Sequence, residues 1–365
     1  MVRIKDVTGY LERIAPLALQ ESYDNAGLIV GDSNQEVKGV LVCLDSVEAT
    51  IDEAIALGVN LIIAHHPIVF KGLKRFNGAN YVERTVIKAI KNDIAIYAIH
   101  TNLDNVPNGV NAIIAKKLGL ENVRVLIPQK NALSKLVTYC PVDKSQKVQD
   151  ALFAAGAGNI GNYSHCSFSS EGRGTFLAGE TADPYVGKVG ELHKEREVKI
   201  EVVLPNHLRA TVVAELLKAH PYEEVAYDLF LMQNENPNIG GGAIGELPDE
   251  VATMDFLQRI KETMKAGSVR YTEVLKPTIK TVAICGGSGS FMLSDAKKAG
   301  ADLFLTSDFK YHEFFDSENQ IVIADIGHYE SEQYTSALLG DFLTQKFSTF
   351  AIRISAINTN PVNYL

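Results

Sequence analysis

Two segments of this 365-residue chain follow the same pattern, one from Val40 and the other, 242 positions later, from Val282. They read VLVCLDSVEATIDEAIALGVNLIIAHHP and VAICGGSGSFMLSDAKKAGADLFLTSDF. Each predicts a strand, a turn, a helix and a second strand, and Gly58 aligns with Gly300 where each helix should end. The repeat favours two similar α/β halves whose strand ends face one cleft. The alternative is that any two strand–helix–strand units share such a pattern.

An apolar run from Val59 to Ala64 ends at His65 and His66. Such runs are typical of parallel strands buried on both faces, and the ligands of open α/β sheets gather at the carboxyl ends of these strands. A single histidine there would more often close the strand as an ordinary polar residue. Two histidines side by side, with further imidazoles and carboxylates at other strand ends, favour a metal site.

Two later predicted strands end in the same kind of side chain. DIAIYAIHTNLDN carries His100 and Asp104, and QIVIADIGHYESE carries His328 and Glu332. Asp104 and Glu332 fall within one residue of equivalent positions in the two halves. His328 and Glu332 are four residues apart at the start of a helix predicted over 330–342, so both point to one side of its first turn. The candidate metal ligands are His65, His66, Asp104, His328 and Glu332.

Imidazole and carboxylate ligands without a thiolate suit zinc, iron, manganese or cobalt, and zinc is the favoured identity. Five ligands are more than one tetrahedral ion needs. Because adjacent side chains diverge along a strand, His65 and His66 should serve different ions. We therefore expect two divalent metal ions per chain, bridged by one carboxylate and able to activate a bridging water.

Other polar residues near this predicted site have two interpretations each. The candidates for proton transfer, or for orienting a ligand imidazole, are His100, Asp308 and His312. A solvated helix start explains Asp308 and His312 equally well. Lys71, Lys74 and Arg75 would attract an anionic substrate, or they form a charged surface loop. The segment Gly286-Gly287-Ser288-Gly289 has no P-loop lysine, so a tight turn is favoured over a phosphate site.

A block of different character separates the two halves. SKLVTYCPVDKSQKVQDALFAAG and REVKIEVVLPNHLRATVVAELLKAH each predict a strand, a turn and a helix, and further strands are predicted over 174–178 and 225–231. This βαββαβ order is typical of a ferredoxin-like α+β domain. We therefore expect a main domain over 1–127 and 240–365, with an insert over 128–239. NENPNIGGGAIGELPDE, at the return to the main domain, is predicted to be a loop.

Composition excludes several classes of protein. A net charge of −9 makes nucleic-acid binding unexpected, and no stretch reaches the ~20 apolar residues of a membrane span. The four cysteines form no CxxC pair and are interpreted as reduced, which fits a cytoplasmic protein. Near the N-terminus, the spacing of Val7, Tyr10, Leu11 and Ile14 predicts an amphipathic helix.

Several of these motifs together resemble one known family. HHPIVFKGLKRF, HTNLDNVPNGVN, GHYESEQ, SYDNAGLIVGD and TSDFKYHEF are similar to segments of the GTP cyclohydrolase 1 type 2 homologues, a family of dinuclear-metal proteins. The likeness covers about 1–127 and 240–365, and the central block resembles the PII/CutA-like insert of the longer bacterial members. The chain is thus identified as a long-form member of that family.

The resemblance implies roles for particular residues. It makes His66, Asp104 and Glu332 ligands of one ion, and His65, His328 and Glu332 ligands of the other, with Glu332 bridging. It also implies a toroidal homohexamer whose sites open into an interior cavity. The resemblance thus implies the metal site and its ligands, and it leaves more than one reaction open.

Two functions fit these observations. The first is a metal-dependent hydrolase, GTP cyclohydrolase-like or a phosphoesterase, that acts on an anionic, nucleotide-like or phosphorylated small molecule through a metal-bridged water. The alternative is a non-catalytic metal-handling or regulatory protein whose insert senses a ligand or gates the central cavity. Turnover at the site, and its loss when Glu332 is removed, would distinguish the two.

Overall fold

The computed structural model describes residues 1–365, and the chain forms a mixed α/β structure with several sheets. Its contacts divide it into two compact units. The main unit comprises residues 1–128 and 237–365, and the insert unit comprises residues 129–236. None of the helices combines the length and the apolar character that a membrane span requires.

The first part of the main unit alternates strands and helices. Its elements are α1 (Ile4–Ile14), β1 (Gly27–Val30), β2 (Gly39–Asp45), α2 (Glu48–Leu57), β3 (Leu61–His66), α3 (Tyr81–Lys91), β4 (Ala95–Ala98), α4 (Thr101–Asp104), α5 (Val110–Leu118) and β5 (Glu121–Gln129). The predicted N-terminal helix is confirmed as α1, whose residues Ile4, Val7 and Leu11 are fully buried.

The insert unit contains four strands and two helices in the predicted βαββαβ order. They are β6 (Leu133–Pro141), α6 (Ser145–Ala154), β7 (Ser167–Leu177), β8 (Leu192–Pro205), α7 (Arg209–Ala219) and β9 (Tyr227–Leu231). The strands form one antiparallel sheet in the order β7-β8-β6-β9. The strand predicted over 174–178 corresponds to the end of β7, which begins earlier than predicted, at Ser167.

The second part of the main unit repeats the alternation of strands and helices. Its elements are β10 (Asn236–Ala252), α8 (Thr253–Thr263), β11 (Arg270–Tyr271), β12 (Thr278–Ser288), α9 (Leu293–Lys298), β13 (Leu303–Ser307), β14 (Val322–Asp325), α10 (His328–Glu332), α11 (Thr335–Lys346) and β15 (Ala351–Ile354).

The internal repeat is confirmed by the register of the parallel strands. Val40 pairs with Leu61 between β2 and β3, and Val282 pairs with Leu303 between β12 and β13, so the same offset relates both members of each pair. The two sheets of the main unit run β1-β4-β3-β2-β15 and β11-β14-β13-β12-β10-β5. Each half thus contributes an edge strand to the other's sheet, β5 in one direction and β15 in the other.

Two sequence-based predictions about the second half are wrong. NENPNIGGGAIGELPDE is not a loop, because most of it forms β10, which pairs with β12. Its glycines permit close packing, since a Cβ on Gly242 would lie 3.0 Å from the carbonyl oxygen of Ile284. The helix predicted over 330–342 is also two helices. Between them, Gln333 and Tyr334 donate hydrogen bonds to backbone carbonyls that follow α8 or end it.

Phe256 on α8 provides a test of the core of the main unit. Its side chain is fully buried, whereas Met254 on the same helix is 51% exposed. We expect Phe256→Ala to lower the free energy of unfolding by about 3–5 kcal/mol, because it removes a large apolar side chain and leaves a cavity. Met254→Ala should change it by no more than about 0.5 kcal/mol. Urea denaturation of both variants measures the difference, and equal effects would contradict the assigned packing.

Candidate metal site

Strand ends position the five candidate ligands. His65 and His66 end β3, Asp104 ends the short helix that follows β4, and His328 and Glu332 span α10 after β14. β3 and β4 are parallel neighbours in one sheet, and β14 is in the other. The prediction that strand ends from both halves meet is therefore confirmed, because Glu332 contacts both histidines of β3.

Both ring nitrogens of His65 lie near oxygen acceptors. Its Nδ1 is 2.8 Å from the carbonyl oxygen of Ile99, which cannot donate, so the ring proton lies on Nδ1 and Nε2 carries a lone pair. That Nε2 is 3.7 Å from Oδ1 of Asp104 and 3.7 Å from Oε1 of Glu332. His65 Nε2 and Asp104 Oδ1 are both buried without a hydrogen-bond partner. Buried polar atoms are rarely left without a hydrogen-bond partner. Lone pairs that converge on one space suit a cation.

His66 and His328 form a second group around the same carboxylate. Their Nε2 atoms are 2.9 and 3.1 Å from Oε2 of Glu332 and 3.3 Å from each other. The three side chains place their ligand atoms within 4.8 Å of one another. The two oxygens of Glu332 therefore face different groups, as a bridging carboxylate would.

The structure groups the histidines differently from the family-based expectation. That expectation joined His66 with Asp104, and His65 with His328. In the structure His65 lies beside Asp104, and His66 lies beside His328. The reason is that His65 and His66 alternate along β3, which turns His65 toward the buried end of β4 and His66 toward α10.

Carboxylates outside the cluster orient two of the imidazoles. Oδ1 of Asp45 accepts from Nδ1 of His66 at 2.7 Å, and Oδ2 of Asp308 accepts from Nδ1 of His328 at 2.7 Å. The hydroxyl of Thr359 donates to the other oxygen of Asp45. Hydrogen bonds of this type are the usual support of metal-binding histidines, because they fix the tautomer and leave Nε2 free to coordinate.

The charged side chains of the cluster shift one another's pKa values. Burial lowers the pKa of His66, but hydrogen bonds to Asp45 and Glu332 outweigh it and raise that pKa to about 9. The pKa of His328 is raised to about 11 in the same way, by Asp308 and Glu332. Burial and the charge of Glu332 raise the pKa of Asp104 to about 7. Burial opposes ionisation of Glu332, but its histidine neighbours hold its pKa well below the usual range.

The glycine segment at the end of β12 makes room for Glu332. Gly287 has a φ of +66°, and a Cβ there would lie 2.3 Å from Oε1 of Glu332. At Gly286 a Cβ would meet the side chains of Val110 and Ile114 first. Glycine at 286 and 287 therefore lets the backbone pack closely against Glu332 and its neighbours. This packing accounts for both glycines without a phosphate ligand.

Of the three candidates for proton transfer, two lie at the cluster. Asp308 contacts His328, and the His100 ring lies 5.3 and 5.4 Å from the rings of His65 and His66. Nδ1 of His100 is 2.7 Å from Oδ1 of Asp24. The structure does not bring His312 to the cluster. Its side chain is exposed and contacts the rings of Tyr311 and Phe315.

A cavity of about 700 Å³ opens beside the cluster. Its polar wall includes His66, His100, His328 and Arg270. Its apolar wall includes Phe70, Tyr329, Val362 and Tyr364. The guanidinium of Arg270 pairs with Asp325, and Arg270 is the one arginine or lysine among the lining residues. Lys71, Lys74 and Arg75 are not among the lining residues.

Sequence reasoning missed Asp45 and the C-terminal segment. Asp45 pairs with His66 across the β2–β3 register, so the repeat and the strand pairing together could have identified it. No feature of the sequence indicates that the C-terminal segment packs beside the cluster. Asn360 donates to Glu330, and a Cβ on Gly267 would collide with the ring of Tyr364. These contacts join residues that are far apart in the sequence and follow no motif.

Asp308→Asn tests the support of His328. The variant keeps an acceptor for the imidazole but removes the negative charge, so we expect the affinity for divalent metal to fall about 10-fold. Asn also tolerates the left-handed backbone at this position, where φ is 61°. Metal titration followed by calorimetry measures the change. The exposed Asp316→Asn is the control, and an unchanged affinity in Asp308→Asn would exclude this role.

Comparison with known proteins places the chain in a family. Residues 2–361 match the family model described as Duf34/NIF3 (NGG1p interacting factor 3). The chain belongs to the Duf34/NIF3 family. The GTP cyclohydrolase 1 type 2 homolog of Bacillus subtilis (strain 168) is 39% identical over 360 residues, which cover 97% of this chain and 96% of that protein. The resemblance read from the motifs is thus confirmed.

Solved structures of Duf34/NIF3 relatives share the fold. The Bacillus cereus protein related to NIF3 matches with a TM-score of 0.88 and 37% identity, over 100% of this chain and 99% of that one. Staphylococcus aureus protein SA1388 matches with a TM-score of 0.79 and 33% identity, over the same shares. The mixed α/β architecture is therefore common to this chain and its Duf34/NIF3 relatives.

Proposed function

We propose that this chain is a dinuclear divalent-metal protein that hydrolyses a nucleotide-like or phosphorylated substrate. The observation that carries the proposal is the convergence of the Nε2 atoms of three imidazoles on the two oxygens of one buried carboxylate, beside a cavity of about 700 Å³. Perturbed titratable groups in a concave site are typical of catalytic centres.

Two groups of side chains would hold the ions. His65 and Asp104 share one oxygen of Glu332, and His66 and His328 share the other. A pair of divalent ions supplies activation of water at neutral pH and stabilisation of charge on a phosphoryl or carbonyl oxygen. Zinc fits these ligands best, and iron, manganese and cobalt are compatible with them.

The remaining side chains of the cavity would bind and orient the substrate. Arg270 presents a guanidinium, 54% exposed, that can pair with an anionic group. Phe70 and Tyr329 offer apolar surface for a base or another ring. His100 is held by Asp24 through Nδ1, which leaves Nε2 to exchange a proton with a bound substrate.

Turnover by the metal-loaded protein tests this proposal. Zinc- or manganese-loaded protein is incubated with nucleotides and simple phosphoesters, including GTP, and product is followed by chromatography. We expect hydrolysis that stops on chelation and is absent in Glu332→Ala. Arg270→Gln should raise KM more than it lowers kcat, because Arg270 contacts the substrate's anionic group and not the ions. Loaded protein that turns over no substrate would overturn the hydrolase proposal.

A metal-handling or regulatory role is the second candidate. The observation that favours it is a separate cavity of about 690 Å³ lined entirely by residues of the insert unit. A protein of this kind would bind two ions without turnover, and a ligand of the insert would alter metal affinity. Metal titration with and without such a ligand distinguishes it from the hydrolase.

We also propose that the insert is a ferredoxin-like domain of the PII/CutA type and that the chain assembles with itself. The βαββαβ order and the sheet order β7-β8-β6-β9 support the first statement. The family resemblance supports a homohexamer. Native mass spectrometry should show six chains per particle, and a monomer at micromolar concentration would contradict the assembly.

A further inference from the structure

The cavity of the insert unit lies against one face of its sheet. Val198, Ile200 and Val202 of β8 point to the other face, where they form a buried core with α6 and α7. Side chains alternate along a strand, so Glu197 and Lys199 point away from the helices and line the cavity. This face therefore carries charge where the helix-covered face is apolar.

Glu197 is the buried charge of this cavity. The residue is only 9% exposed, and its Oε1 accepts a hydrogen bond of 2.9 Å from the hydroxyl of Tyr222. Oε2 lies over Gly174, where a Cβ would be 2.0 Å away. Only glycine at 174 leaves space for this oxygen. The neighbouring strand is thus shaped to accommodate a carboxylate inside the cavity.

Aromatic rings line the same cavity as this carboxylate. The ring of Tyr222 lies 6.4 Å from that of Phe176 at an interplanar angle of 61°, and 6.2 Å from that of Tyr185 at 48°. Tyr139 also lines the cavity. The faces of aromatic rings carry negative electrostatic potential, so a cavity lined by several rings favours a cation.

The other charges of the cavity do not offset Glu197. Lys199 is engaged by Glu201, and Glu223 and Glu224 add two more carboxylates to the lining. Arg173 also belongs to the lining, but it is on β7 opposite Arg196 and alternates with Gly174, so its side chain points to the other face of the sheet. An anion such as a phosphate would therefore meet net negative charge here.

We propose that this cavity binds an organic cation, an ammonium or guanidinium group on a small apolar or aromatic body. The cation would pair with Glu197 and lie against the faces of Tyr222, Phe176 and Tyr185. A volume of about 690 Å³ suits a small molecule, and burial strengthens the ion pair. The site involves only insert residues, so the proposal does not depend on the metal cluster.

Three probes with the same phenylethyl body and different charge test the proposal. The full-length protein is titrated with phenethylammonium, 2-phenylethanol and 3-phenylpropionate, and binding is followed by calorimetry and by saturation-transfer NMR. We expect the ammonium to bind about tenfold more tightly than the alcohol, and the carboxylate not to bind, because a charge-assisted bond replaces a neutral one. Glu197→Gln should weaken ammonium binding about tenfold and leave alcohol binding unchanged.

Two further variants complete the test. Glu215→Gln, on α7 and paired with Lys218, removes a carboxylate outside the cavity and should leave binding unchanged. Phe176→Leu keeps an apolar wall but removes a ring face, and should weaken ammonium binding about threefold. Phe176→Leu is the variant that tests the proposal if circular dichroism shows that Glu197→Gln is unfolded. Equal binding of ammonium and alcohol, or no ammonium binding to folded protein, would overturn the proposal.

Discussion

Glu332→Ala is expected to abolish metal binding at both halves of the proposed dinuclear site. The carboxylate is 3% exposed, and its two oxygens face different groups of ligands, so no other side chain can replace it in either group. Its loss would also leave His66 and His328 beside each other without the negative charge between them. We expect affinity for both ions to fall by at least about 100-fold, more than the 10- to 100-fold typical of losing an outer partner. Elemental analysis after dialysis measures the loss.

The matched control is a buried carboxylate outside the cluster. Glu83 is 8% exposed and accepts backbone hydrogen bonds near the start of α3. Glu83→Gln should retain full metal content. If Glu332→Ala kept one ion per chain, the carboxylate would not bridge, and the two groups would be separate sites.

Gly287→Ala is expected to lower metal affinity without replacing a ligand. An added Cβ would lie 2.3 Å from Oε1 of Glu332 and 3.3 Å from Cε1 of His328. Because hydrogen bonds from His66 and His328 fix Glu332, the side chain cannot move aside and keep both contacts. We expect metal affinity to fall at least about tenfold, as for other displaced ligands.

Gly300→Ala separates this collision from backbone strain. Gly300 occupies the equivalent left-handed region, with φ of +78° against +66° at Gly287, but a Cβ there meets nothing within 4 Å. Both substitutions should cost about 1 kcal/mol of stability for the backbone conformation. Only Gly287→Ala should lose metal. Equal metal content in the two variants would show that Glu332 has room to move.

The sequence was most informative where local pattern and strand geometry coincide. The constant offset between the halves matches the register in which Val40 and Val282 pair with their partners, because the segment between the two paired strands has the same number of residues in both copies. His65 and His66 could be placed at a strand end since a buried parallel strand has few other places for polar side chains.

Details that depend on tertiary contacts could not be predicted. Which histidine lies beside Asp104 is decided by the direction in which β3 alternates, and neighbouring residues give no sign of it. The glycine-rich segment of β10 has loop composition, yet it is a strand because β12 provides a partner for its backbone. The break between α10 and α11 likewise follows from hydrogen bonds to α8 that no local signal specifies.

The metal content of the purified wild-type protein tests the central claim most directly. Protein prepared without chelator, and then titrated with zinc, is assayed by inductively coupled plasma mass spectrometry after removal of unbound ions. Two ions per chain are predicted, because His65 with Asp104 and His66 with His328 form two groups on one carboxylate. A protein that retains no ion and takes up none on titration would contradict the account.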